Sequence, residues 1–324
     1  MSSKNQDPRN KKQSPKSTME KRNGEFGLAT LLVLGVMVGT APAGEPTNDK
    51  VERIKNVSYY DGADRDAYNH RLDIYLPKGV TNFPTVVFFH GGTWSMGSKD
   101  GFLALPGHKA YDHGNFFAER GIAAVFCNYR LSPKVQHPEH TIDAARAFAW
   151  VRRNIAGFGG DADRMFVMGH SAGGHISSLL ASDPKYLMAE GLTPSMIRGV
   201  ISVSGVYILA GDLHNAGNDD APIKGVGSFL TRVFGTDPVE HRKASPIAHV
   251  HPDMPPFLVA YARGDIFTLP AQAVAFAGEL EANGNAVHKL QVDGRSHQSI
   301  LKNTLQQDDP LGTAILDFIR TGKP

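Results

Sequence analysis

From residue 51 onward, apolar positions fall into two kinds of run. Pro84–His90 (PTVVFFH) and Ile122–Tyr129 (IAAVFCNY) are almost continuously apolar, the pattern of strands covered on both faces. Arg164–Met168, Gly199–Val206, Phe257–Ala262 and His288–Val292 are shorter β-rich runs that predict further strands. Val57–Tyr60 and Arg71–Leu76, with Asp61-Gly62 turn chemistry between them, predict an antiparallel opening pair. Thr141–Ile155 instead has apolar residues at Ile142, Ala145, Phe148, Ala149 and from Val151 on, which is helical spacing. Ala172–Ala181, Ala271–Ala282 and Pro310–Thr321 also predict helices. Strands alternating with helices predict an α/β fold, a mostly parallel sheet with helices on both faces. The alternation breaks between Tyr207 and Pro256, where only Val226–Phe234 reads as helical. Residues 208–256 are either a small cap insertion or an ordinary connecting excursion.

Composition narrows the class. The 324 residues are 41% hydrophobic and 20% charged, a globular balance that excludes a disordered chain. One α/β domain can take up most of such a length. No repeat of solenoid or propeller period is visible. Cys127 is the sole cysteine, which excludes an internal disulfide framework and a cysteine-based zinc site. Residues 1–43 carry seven Lys/Arg (Lys4, Arg9, Lys11, Lys12, Lys16, Lys21, Arg22) and three acids (Asp7, Glu20, Glu25). Taken from 34 and 32, these leave 27 basic and 29 acidic residues in the body, a net charge of −2. The body therefore has no electrostatic case for nucleic acid.

The leader has its own pattern. Residues 26–40 (FGLATLLVLGVMVGT) form an uncharged apolar run preceded by Lys21 and Arg22. Ala41-Pro42-Ala43 follows, with small residues where a signal peptidase needs them. The run is short for a bilayer span and suits a signal-peptide core. Residues 1–43 thus read as a signal peptide with a disordered basic extension, and 44–324 as the folded body. Initiation at Met19 would give a more usual signal length. The expected location is exported, periplasmic or extracellular, with no stable membrane association after cleavage. An uncleaved leader would make it a membrane anchor.

Gly169-His170-Ser171-Ala172-Gly173 matches G-x-S-x-G between a predicted strand and a predicted helix, the strand–turn–helix setting of a nucleophile elbow. Ser171 is the candidate nucleophile. His90-Gly91-Gly92-Thr93-Trp94 follows the strand PTVVFFH and is similar to an HGGG oxyanion loop, with Thr93 replacing the third glycine. Gly91, Gly92 and Ala172 are the candidate N–H donors to an oxyanion. A serine nucleophile needs a base and an orienting acid. The order expected after such an elbow is an acid, then a histidine. Asp265 follows the strand FLVAYA and His297 follows HKLQV; both sit at predicted strand C-terminal ends, where open α/β sheets bind ligands. Asp293 is the rival acid. Trp94 is either pocket lining or core, and Arg130 reads as a structural ion-pair partner. His137, His140, His249 and His251 read as solvated loop residues, without the H-E-x-x-H spacing of a metal site.

HGGTW, Tyr129–Pro133 (YRLSP), GHSAGGH and a late Asp and His together resemble the α/β-hydrolase fold. Within it the chain resembles carboxylesterases of the hormone-sensitive-lipase and BD-FAE type, over most of residues 55–320. The resemblance implies hydrolysis of an acyl ester through an acyl-serine intermediate, with Ser171, His297 and Asp265 in those roles and no metal or organic cofactor. It implies a small-molecule or carbohydrate-linked acyl ester as substrate, and an exported enzyme would meet acetyl or feruloyl esters of polysaccharides. Formamidases of this fold share the same motifs, so arylformamide cleavage is an alternative. A binding module on the same fold is a second, and a membrane-anchored structural protein a third.

Overall fold

The computed structural model describes residues 48–101, 110–209 and 227–324. The leader, and residues 210–226 of the expected insertion, lie outside the described residues. The chain opens with β1 (Val51–Ser58), β2 (Arg71–Pro77) and β3 (Phe83–Phe89), then α1 (Ala110–Ala118) and β4 (Ala123–Cys127). Next come α2 (Glu139–Asn154), β5 (Gly160–His170), α3 (Ala172–Ser182), the single turn α4 (Lys185–Met188) and β6 (Gly199–Val203). Two short helices, α5 (Gly227–Phe234) and α6 (Pro238–Lys243), precede β7 (Phe257–Gly264) and α7 (Leu269–Ala282). The chain closes with β8 (Val287–Ser296), the single turn α8 (Ser299–Lys302) and α9 (Pro310–Thr321).

The strands form one sheet in the order β1-β2-β4-β3-β5-β6-β7-β8. β1 and β2 pair antiparallel, as does β2 with β4, and every other neighbour is parallel. The helices cover both faces, as the alternation predicts. β3 shows why its sequence is apolar at every position but Thr85. Val87 and Phe89 face one core with Phe148, Ile176 and Phe276. Val86 and Phe88 face the other, with Phe116, Phe117, Ile315 and Phe318. Successive side chains point to opposite faces, so a strand covered on both sides has no solvent-facing position, and its one polar residue, Thr85, is buried too.

Several boundaries differ from expectation, for physical reasons. β1 begins at Val51 rather than Val57, because it is an edge strand whose VERIKNVS run carries charge on exposed positions. Its register also slips between Ile54 and Val57, around Asn56 at φ 58°, which breaks the period-2 signal. β5 begins at Gly160, its first residues lying outside the buried stretch. β8 runs on to Ser296. α1 was not expected, and Gly114 interrupts its apolar pattern. α6 was missed because none of its residues is buried, so it has no apolar stripe to detect. Among the described residues, no helix is long and apolar enough to cross a membrane.

Parallel pairing sets Phe89 beside Gly169, His170 beside Val203, and Gly264 beside Ser296. The loops carrying His90–Trp94, Ser171, Ser204, Asp265 and His297 thereby emerge along one edge of the sheet. β4 lies on one side of β3 and β5 on the other, so the strand order reverses there, the usual place for a ligand crevice.

Candidate active site

Ser171 stands between β5 and α3 at φ 57° and ψ −119°. A non-glycine residue holds such a conformation only when its surroundings enforce it. Here they do. A Cβ on Gly169 would lie 2.1 Å from the Gly173 carbonyl oxygen, and one on Gly173 would lie 1.9 Å from that of Phe89. Only glycine fits at either position. The Ser171 N–H donates to Val203 O at 2.9 Å, and Ser171 O accepts from His175 N–H at 3.1 Å. The turn is fixed at both ends, with Ser171 at the head of the eleven-residue, fully buried α3.

The loop after β3 closes on this turn. A Cβ on Gly91 would come within 3.2 Å of Ser171 Cβ and 2.9 Å of His170 O. Gly92, Thr93 and Trp94 all take positive φ (117°, 52° and 55°). That explains why glycine suits the position held by Thr93. His90 Nδ1 donates to Gly91 O at 2.8 Å, while the His90 ring stacks on Tyr129 at 4.3 Å. Burial pushes the His90 pKa down to about 4, so the ring is neutral at pH 7. Holding the Gly91 carbonyl turns the N–H of Gly92 the opposite way across the trans peptide. The N–H groups of Gly91, Gly92 and Ala172 have no hydrogen-bond acceptor among the described residues.

Asp265 and His297 meet. His297 Nδ1 lies 2.6 Å from Asp265 Oδ1, and both side chains are buried. Asp265 is held by more than the histidine. Ser204 Oγ donates to Oδ2 at 2.5 Å, Ile266 N–H to Oδ1 at 2.8 Å and Ala262 N–H to Oδ2 at 3.4 Å. Burial alone would raise this carboxyl's pKa, but the bonds from His297 and Ser204 outweigh it and hold it below the usual range. His170 Nε2 donates to His297 O at 2.7 Å, and the two rings lie 4.6 Å apart. With Nδ1 bound to the carboxylate, His297 Nε2 makes no hydrogen bond among the described residues, and none joins it to Ser171 Oγ. The rival acid Asp293 is exposed and faces Arg263 at 3.8 Å and Gln291 at 3.0 Å.

Ser171 opens on a cavity of about 230 Å³. Its walls include Trp94, Val206, Leu230, Ile266, Phe267 and Leu269. Leu230 comes from α5, so the described part of the insertion reaches the site. Trp94 is both core and lining: it is 2% exposed, its Nε1 donates to His175 Nδ1 at 3.3 Å, and its ring packs edge-on to Phe234.

The remaining candidates lie elsewhere. Arg130 is an ion-pair partner, bonded to Asp143, Asp64 and Glu139. His140 is not solvated: it is 1% exposed on α2, with Nε2 3.1 Å from Ser132 Oγ. His137 is half-buried between Tyr186 and Phe234. Both differ from the solvated loop residues expected: His137 is covered by Val233 and Phe234 of α5, and His140 turns inward because α2 begins at Glu139, ahead of the predicted start at Thr141. His249 bonds Lys243 O and His251 bonds Pro252 O. Ser204 and His170 were not singled out, and neither carries a motif role that spacing could reveal.

The chain matches the BD-FAE family profile over residues 72–280. It is 31% identical over 241 residues to esterase LipQ of Mycobacterium tuberculosis, covering 73% of this chain and 55% of that one. It is 30% identical over 251 residues to isoprenylcysteine alpha-carbonyl methylesterase ICME of Arabidopsis thaliana, covering 72% and 55%. The chain thus spans about half the length of the curated relatives it matches. Among solved structures, a truncated carbohydrate esterase from gut microbiota superimposes with TM-score 0.69 at 22% identity, over 86% of this chain and 98% of that one. The fold is the α/β-hydrolase fold.

Proposed function

The chain belongs to the BD-FAE family, and on that premise we propose that it is a serine carboxylesterase acting at Ser171. The observation that carries the reading is the 2.6 Å Asp265–His297 pair, set on the same sheet edge as a serine held at φ 57° over an apolar cavity. Ser171 Oγ attacks the ester carbonyl while His297 Nε2 takes its proton. The negative charge on the former carbonyl oxygen is received by the N–H groups of Gly91, Gly92 and Ala172. The imidazolium, stabilised by Asp265, then gives its proton to the departing alcohol, leaving an acyl-Ser171 ester. Water repeats the sequence, releasing the carboxylic acid and restoring Ser171.

The proposal includes export and an acylated carbohydrate as substrate. Lys21, Arg22, the apolar run 26–40 and Ala41-Pro42-Ala43 support export. The solved carbohydrate esterase of the same fold supports the alcohol class. A secreted form whose N-terminal residue is Gly44 is expected, and an intact leader in the membrane fraction would overturn export.

Hydrolysis of p-nitrophenyl acetate, butyrate and octanoate tests the chemistry. Replacing Ser171 by Ala should cost about 10⁴-fold or more in kcat. Equal rates with and without Ser171 would overturn the nucleophile. Cleavage of N-formylkynurenine by a protein inert to all three esters would move the reading to the formamidase alternative.

A further inference from the structure

Phe267 combines two features that folding alone does not reward. The residue is 61% exposed, and its backbone sits at φ 52°, a region bulky residues avoid. Both features persist because the turn around it is tied down. Asp265 N–H donates to Ala262 O at 3.2 Å, Ile266 N–H to Asp265 Oδ1 at 2.8 Å and Leu269 N–H to Ile266 O at 3.3 Å. A strained residue held by such over-determination points to function. The ring lines the same cavity as Ser171, two residues from Asp265.

The cavity's shape and chemistry say what the ring would meet. Trp94, Leu209 and Gln272, each 1–2% exposed, form its inner wall, while Ile266 and Phe267 stand at its exposed side. In an acyl-serine mechanism the alcohol leaves first and the acyl group stays bound to Ser171, so an apolar cavity that Ser171 itself lines suits the acyl group. The polar groups of Thr93 and Gln272 are engaged within the protein. Thr93 Oγ1 donates to Gly92 O, Gln272 Oε1 accepts from the N–H groups of Tyr207 and Ile208, and Gln272 Nε2 donates to Thr268. What remains is apolar. We propose that Phe267 is a specificity-determining residue whose ring covers an aliphatic acyl chain and favours longer chains over acetyl. This rests on Ser171 being the nucleophile. The contact an acyl chain makes with an apolar cover grows with each methylene, so the effect is a selectivity rather than a uniform loss.

The test compares p-nitrophenyl acetate and octanoate in the unaltered protein, Phe267→Ala, Phe267→Gly, Phe267→Leu and Ser171→Ala. The octanoate-to-acetate ratio of kcat/KM should fall about tenfold in Phe267→Ala and Phe267→Gly, mainly through KM for octanoate. Phe267→Leu should keep most of the ratio. Phe267→Gly should melt no lower than the unaltered protein, since glycine accepts positive φ freely. A lowered Tm with equal losses on both esters would overturn the inference and make Phe267 merely structural. An unchanged ratio, with activity abolished in Ser171→Ala, would overturn it alone. Activity persisting in Ser171→Ala would overturn both it and the nucleophile reading.

Discussion

Two buried His–Asp pairs stand among the described residues, and they differ in what their histidines leave open. His297 and Asp265 lie 2.6 Å apart at the sheet edge; His70 and Asp143 lie 3.0 Å apart beneath it. Both pairs are shielded from water. The difference is what the second ring nitrogen does. His70 Nδ1 accepts the Asp66 N–H at 2.9 Å, and Nε2 donates to Asp143, so both nitrogens are spent. Asp143 is equally occupied: Arg130 reaches it through its backbone N–H, Nε and a terminal nitrogen, at 2.8 to 2.9 Å. Arg146 adds a longer contact. His297 binds its carboxylate through Nδ1 alone, which leaves Nε2 available to take and return a proton. Pairing with a carboxylate therefore does not by itself mark a histidine as a base; on the function proposed above, the open second nitrogen of His297 is what sets it apart.

Replacing each aspartate by asparagine breaks the comparison in opposite directions, and the largest effects lie here. Asp265→Asn should lower kcat by about 10³- to 10⁴-fold, because the amide no longer fixes the imidazole tautomer or stabilises the imidazolium. Its melting temperature should move little by comparison. Asp143→Asn should do the reverse. It weakens three bonds from Arg130 and one from His70 in a buried site, while Asp64 and Glu139 still pair the guanidinium; a cost of roughly 2–3 kcal/mol follows, or a fall in Tm of about 5 °C or more for a domain of this size. The kcat of the fraction that stays folded should remain within a few-fold. Paired melting curves and ester kinetics check both. A loss of activity in Asp143→Asn as deep as in Asp265→Asn would erase the distinction.

The same contrast explains what could be read from the sequence. Ser171 was legible because its turn is made by backbone constraint. Only glycine avoids the 1.9 and 2.1 Å clashes at 173 and 169, so the turn is written into residue type and spacing. The Gly91-Gly92 loop was legible for the same reason. The meeting of Asp265 and His297 was legible from their place after strands, a consequence of sheet topology. Their supports were not. Ser204 lies 61 positions from Asp265, and His170 lies 127 from the carbonyl it bonds. Side-chain hydrogen bonds across such separations exist only once the sheet has set the register, and a lone serine after a strand carries no signal. Helices without a buried stripe were lost likewise: α6 buries nothing, and periodicity had nothing to detect.

Ser204 gives the smallest effect and the finest distinction, because it acts on orientation rather than charge. Its hydroxyl is one of four donors to Asp265, from a backbone also held at positive φ, 49°. Ser204→Ala removes that donor and keeps the His297 bond. The carboxyl pKa then rises toward its ordinary value near 3.9, so the group stays ionised at pH 7. Activity should fall only about tenfold at neutral pH, with KM nearly unchanged, since a less firmly held carboxylate orients the imidazole less well. Stability should drop by roughly 1.5–3 kcal/mol, the worth of a hydrogen bond to a charged group. The sign of its pH dependence follows from the depressed carboxyl. A group with a lowered folded-state pKa stabilises above its unfolded pKa and loses that contribution as pH falls through the folded value. The gap in stability between the unaltered protein and Ser204→Ala should therefore be full at pH 7 and close progressively below pH 4. A gap that stayed constant into acid would mean Ser204 packs against the loop without holding the charge.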